Sequence, residues 1–85
     1  MDSDRPPEYP ELARRRSEQG RVVLRVEVSM DGRPLEISVA RSSGFGILDS
    51  AAENAVREWR FVPATEGGRP VPATAEVPVQ FRLED

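Results

Sequence analysis

The chain has 85 residues, no cysteine, no histidine and a formal net charge of −3. That length supports one domain with a thin core. The missing histidine removes the commonest general base and metal ligand, and the negative balance argues against a nucleic-acid partner, which calls for a basic field.

No apolar run approaches the ~20 residues of a membrane span. No signal peptide is present, so a membrane anchor, if there is one, is expected upstream. Absence of cysteine suits a cytosolic or a periplasmic domain equally. Residues 1–8 mix charges of both signs with Pro6 and Pro7 and read as the end of a linker, leaving 9–85 as the folded unit. Tyr9 to Gln19 reads as a short helix. Pro10 suits its first turn, Glu11 lies at the positive end of the dipole, and Gly20 suits the stop. Tyr9, Leu12, Ala13 and Arg16 share its narrow inner face. Arg14, Arg15 and Arg16, with Glu11 and Glu18 nearby, read as a solvated surface.

Arg21 to Met30 alternates. Val22, Leu24, Val26, Val28 and Met30 point inward, and Arg21, Arg25, Glu27 and Ser29 outward. Val23 is the one apolar residue on the outer side. Asp31-Gly32 signals a type I′ hairpin turn, and the returning strand places Leu35, Ile37 and Val39 inward. Arg41 to Gly46 turns into a second helix expected over Ile47–Arg60, where Leu48, Ala51, Ala52, Ala55, Val56 and Trp59 recur at helical spacing. Asp49 complements the first turn, and Arg57 and Arg60 the last. Val62-Pro63 ends the helix.

Gly44-Phe45-Gly46 is turn chemistry and not a phosphate cradle, because the third glycine position of that fingerprint is Asp49. Ser42 and Ser43 have no histidine to activate them and read as capping or turn residues. The acidic residues show no ligand spacing for calcium or zinc, so no metal or cofactor is expected. Ala64–Arg69, with Gly67-Gly68, is expected to be a mobile loop.

The closing stretch from Ala73 to Leu83 alternates again. Val77, Val79, Phe81 and Leu83 lie on one side, and Glu76, Pro78, Gln80 and Arg82 on the other. Proline inside a strand belongs at a sheet edge or a bulge. Helix, strand, strand, helix, strand then folds as an α+β domain. Two helices cover one face of a three-stranded antiparallel sheet of order 2-1-3, with the last strand at an open edge. Backbone groups of successive residues alternate sides, so Pro78 turns its missing N–H outward together with the outward groups of Glu76, Gln80 and Arg82. The candidate site is therefore Glu76, Val77, Pro78, Val79, Gln80, Phe81, Arg82 and Leu83, poised to receive another chain's strand. From these residues alone, an edge merely blunted by Pro78 and Arg82 is an equally good reading.

Taken together, these segments resemble the C-terminal domain of TonB, the bacterial energy transducer. The resemblance rests on Tyr9-Pro10-x-x-Ala13, on Gly20 with the alternating strand to Val28 and Asp31-Gly32-Arg33, and on Ser42-Ser43-Gly44. It continues through Leu48-Asp49-x-Ala51-Ala52-x-x-Ala55-Val56-Arg57-x-Trp59-Arg60-Phe61-x-Pro63 and the closing Val77-Pro78-Val79-x-Phe81-x-Leu83. It implies a non-enzymatic periplasmic domain whose full-length protein is anchored in the inner membrane by an upstream helix. It also implies coupling to the ExbB–ExbD motor through an upstream segment. The implied partner is the TonB box of an outer-membrane TonB-dependent transporter, bound as an added strand for uptake of siderophore- or cobalamin-type nutrients. Arg5, Pro6, Pro7, Glu8 and Tyr9 form a secondary contact in this reading. The alternatives are a TolA-like periplasmic domain, or a dimerisation module that pairs or swaps the same edge strand.

Overall fold

In the computed structural model, which describes residues 6–83, the alternating valines of the first strand become the centre of the domain. Along the chain run α1 (Glu11–Arg15), β1 (Gly20–Val28), β2 (Pro34–Arg41), α2 (Gly46–Val56), β3 (Ala64–Glu66), β4 (Arg69–Val71) and β5 (Ala73–Phe81). β1 pairs antiparallel with β2 on one side and β5 on the other, giving the sheet order β2-β1-β5. Val22, Leu24, Val26 and Val28 of β1 and Val77, Val79 and Phe81 of β5 are buried against Ala13 of α1 and Leu48, Ala52 and Val56 of α2. The opposite face carries exposed Arg21, Arg25 and Glu27. This is the expected α+β arrangement with both helices on one face.

Several elements end earlier than their sequence patterns suggest. Helix α1 stops at Arg15. The left-handed stop residue is Ser17 (φ 56) and not Gly20. Ser17 N–H donates to the Arg14 carbonyl (3.0 Å) and Glu18 N–H to that of Ala13 (2.9 Å), closing a Schellman motif. Gly20 opens β1 instead, where a Cβ would fall 2.8 Å from the Ser43 carbonyl oxygen. Helix α2 ends at Val56, so Arg57 and Arg60 lie beyond its last turn. Trp59 and Phe61, on the extended segment that follows, pack against the core with their rings 6.0 Å apart.

The β1–β2 hairpin also departs from expectation. Met30 lies past the strand end and is 57 % exposed. Asp31 is not left-handed; Gly32 alone is (φ 84), and Gly32 N–H donates to the Ser29 carbonyl at 3.0 Å. That is a three-residue connection with a glycine bulge, which spares Asp31 the strained conformation a type I′ turn would impose. Register shifts interrupt β2 at both ends. One of them skips Leu35, which is 69 % exposed, and Val39 at this edge is also more than a third exposed. Ile37 is the inward residue of β2 that packs against the core.

The stretch expected as a mobile loop is a hairpin. β3 and β4 pair with each other as a separate two-stranded sheet. Gly67 (φ 58) and Gly68 (φ 82) between them adopt the two left-handed conformations of a type I′ turn.

Gly32 fixes how this end of the domain closes. Its carbonyl accepts the Phe61 N–H at 2.8 Å, and a Cβ at Gly32 would meet the Phe61 carbonyl oxygen at 2.1 Å. Gly32→Ala combines a disfavoured φ with displacement of the Trp59–Phe61 segment. It is expected to cost at least about 1–2 kcal/mol, read as a lower midpoint in urea denaturation with an unchanged slope.

Candidate functional site

Nine consecutive residue pairs join β5 to β1 without a bulge, from Gly20 opposite Phe81 to Val28 opposite Ala73. Among the described residues nothing pairs with the other side of β5, so it is an edge. Val77, Val79 and Phe81 bury their side chains, whereas Thr74, Glu76, Pro78, Gln80 and Arg82 are exposed. Pro78 sits opposite Val23, the one apolar residue on the outer side of β1, and each gives the other an apolar neighbour. On the same face Arg25 Nη2 lies 3.5 Å from Glu76 Oε2, and the Thr74 hydroxyl donates to Glu27 Oε1 at 3.0 Å.

The candidate strand is two residues shorter than expected. It ends at Phe81, and Arg82 and Leu83 follow it as extended chain. The Leu83 N–H donates to Gln19 Oε1 at 2.8 Å, which puts the N–H of an odd-numbered residue on the β1 side. Gln19 carries no sequence pattern that singles it out; its role comes from lying just before Gly20, the partner of Phe81.

Tyr9 ties the start of the chain to this strand. Its ring meets that of Phe81 edge-on at 5.4 Å and 87°, its hydroxyl donates to the Glu18 carbonyl, and the Arg14 guanidinium lies 5.1 Å above the ring. Pro6, Glu8 and Pro10 face α2 across an open groove. Arg5 lies outside the described residues.

The remaining motif residues hold the frame. Ala13 and Leu48 are fully buried. Asp31 accepts from the Ser29 hydroxyl, which lowers its pKa, and lies 3.2 Å from Arg33 Nε. Arg60 Nη1 donates to the Trp59 carbonyl at 3.0 Å. Pro63 is part-exposed just before β3. Asp49 does more than complement a dipole. Its Oδ1 accepts from the Ser43 N–H (3.0 Å) and hydroxyl (2.7 Å), and its Oδ2 from the Ser42 hydroxyl. These bonds latch the Ser42–Gly44 turn to the first turn of α2. The signal for this latch was a carboxylate six and seven residues after two serines, across a glycine turn. Among the described residues no group of three acidic residues could hold a metal ion, and no helix is long and apolar enough to cross a membrane.

The sequence profile described as Gram-negative bacterial TonB protein C-terminal matches residues 5–83. The chain belongs to the TonB C-terminal domain family. It is 49 % identical over 77 residues to protein tonB2 of Pseudomonas aeruginosa, covering 91 % of this chain and 28 % of that protein. It is 41 % identical over 78 residues to protein TonB of Xanthomonas campestris, covering 92 % and 35 %. The chain thus spans about a third of the length of these relatives. The solution structure of the Pseudomonas aeruginosa TonB C-terminal domain superposes with a TM-score of 0.82 at 32 % identity, covering 98 % of this chain and 84 % of that one. The TonB domain fold is the α+β arrangement described above.

Burial raises the Asp49 pKa, but the Ser42 hydroxyl and the Ser43 N–H and hydroxyl together outweigh it and hold it below the ordinary value. A carboxyl lowered by folding contributes stability above its unfolded pKa of about 3.9. That contribution is lost as pH falls through the lower folded value. Asp49→Asn is expected to cost about 1–2 kcal/mol at neutral pH. The difference from the parent domain should shrink below about pH 4, checked by thermal melts across pH.

Proposed function

We propose that this domain is the non-enzymatic periplasmic gripping module of a TonB-type energy transducer. It takes up the TonB box of an outer-membrane TonB-dependent transporter as an added strand on β5. Segments upstream link it to the inner membrane and the ExbB–ExbD motor, whose force it passes to the transporter for siderophore- or cobalamin-type uptake. Residues 1–8 end that upstream linker, and Arg5 to Tyr9 form a secondary contact.

The observation that carries this reading is the contrast between the two sheet edges. β2 is interrupted by register shifts at both ends and ends in exposed side chains, which is how an edge is protected from pairing. β5 runs nine pairs without interruption, with a proline at its centre. Opposite Val23, Pro78 can give β1 no N–H, which fits a pair without ladder bonds. The Leu83 N–H supports the same parity. Glu76, Gln80 and Arg82 then turn their N–H and carbonyl groups to the open side, and Pro78 its carbonyl. Strand addition draws affinity from these main-chain groups and selectivity from the alternating side chains. Several net bonds of about 0.5–1.5 kcal/mol each, less the cost of ordering a peptide, support roughly micromolar affinity. The hinge that a strand-swapped dimer would use is folded as the β3–β4 hairpin, so the swap draws less support, while a dimer pairing two open edges would use the same side of β5.

Titrating the isotope-labelled domain with N-terminal peptides of outer-membrane transporters should shift the amides of Glu76–Leu83 most. Gln80→Pro should leave the fold intact and weaken the peptide roughly two- to tenfold by removing one outward donor. Val79→Pro should instead cost the fold about 3 kcal/mol, because its N–H faces β1. The reverse pattern of the two proline variants would overturn the assigned parity.

A further inference from the structure

Beside α2, on the flank of its buried face, the N-terminal segment and the helix form an open groove of about 580 Å³. Ala51 and Ala55 of α2 line it, half-buried, and one methyl group each lets a ligand approach the helix backbone closely. The facing wall is Pro6 and Pro10. Prolines offer no N–H, so this wall is poor in main-chain donors, and recognition here runs mainly through side chains. The polar groups of the lining are the exposed Glu8, Asn54 and Glu58. Neither glutamate side chain has an ion pair or hydrogen bond among the described residues. The neighbouring cation, Arg57, is not part of the lining, but its Nη1 donates to Oδ1 of Asn54 at the rim at 2.7 Å. Among the described residues, two carboxylates without an ion pair therefore flank an apolar trough whose lining includes no cation.

We propose that this groove docks an extended segment of a partner protein carrying an arginine side chain between small or apolar residues. Arginine supplies what the lining lacks. Its planar guanidinium presents donors that carboxylates accept, where a point charge would have no fork to match. Its aliphatic stem has apolar surface to lie along the alanines and prolines. The groove shares no residue with β5, whereas its Pro6 and Glu8 belong to the secondary contact proposed above, so the inference rests on that reading and names the chemistry the contact would take.

The test is a titration of the labelled domain with acetyl-Ala-Ala-Arg-Ala-Ala-amide, with the glutamate pentapeptide as control. Saturable shifts at the amides of Ala51, Asn54, Ala55 and Glu58, with β5 unmoved, are expected from the arginine peptide and not from the control. Glu8→Gln and Glu58→Gln should each weaken it about two- to fivefold. Added salt should weaken the parent response in the same direction. Absence of saturation at about 10 mM peptide, equal response to the control, or indifference to both glutamine variants would overturn the proposal. So would an Arg5→Ala variant that binds the peptide more tightly, since the chain's own arginine would then be the occupant.

Discussion

Pairing along both edges of β1 is the constraint on which the rest of the domain depends. An 85-residue chain without cysteine has little apolar surface to bury and no covalent staple. Val22, Leu24 and Val26 are completely buried on β1. Their removal from water, at about 1.5–3 kcal/mol each, is large beside the net stability expected of a domain this size. That burial requires the central position. With β2 and β5 on its flanks and the helices above, β1 has no lateral exposure, whereas the apolar residues of β2 remain partly in solvent.

Placing β1 at the centre leaves two outer edges, and they have opposite characters. The shifts in β2 bend its backbone out of regular register and leave Leu35 outside the ladder. β5 is regular over its whole length, with its proline opposite Val23 of β1. A straight edge with a proline at its centre can still accept a strand, because proline keeps its carbonyl and the flanking residues keep both groups. The Tyr9–Phe81 contact and the bond from Leu83 to Gln19 hold the end of this edge against the start of the folded chain. The start of the folded chain therefore lies next to the end of β5.

Two close backbone approaches and one latch join the loops to this sheet. Gly20 lies under the Ser43 carbonyl, and Gly32 lies against Phe61. Asp49 gathers Ser42 and Ser43 onto α2. Each contact links residues that are distant along the chain or separated by a turn, and together they tie the segments before and after α2 to their neighbours. The motif positions Gly20, Gly32 and Asp49 therefore serve the frame, and none of these contacts involves β5.

Periodicity alone determined the class of the fold, the inward residues of β1 and β5 and the edge position of the last strand, because a period of two and a proline are properties of single segments. The exposed and buried faces of Glu76–Phe81 were legible for the same reason. Tertiary structure decided what depends on contacts between segments. Ser17 rather than Gly20 stops α1, since Gly20 is needed beneath Ser43. Gly32 alone takes the left-handed turn position, since Phe61 leaves no room for a side chain there. Gly67-Gly68 does carry a type I′ signal, yet its flanks are too short and polar to read as strands, and β3 and β4 emerge only as partners of each other. The bulges of β2 were equally hidden. Alternation predicts which face a residue takes, but register is settled by the strand opposite.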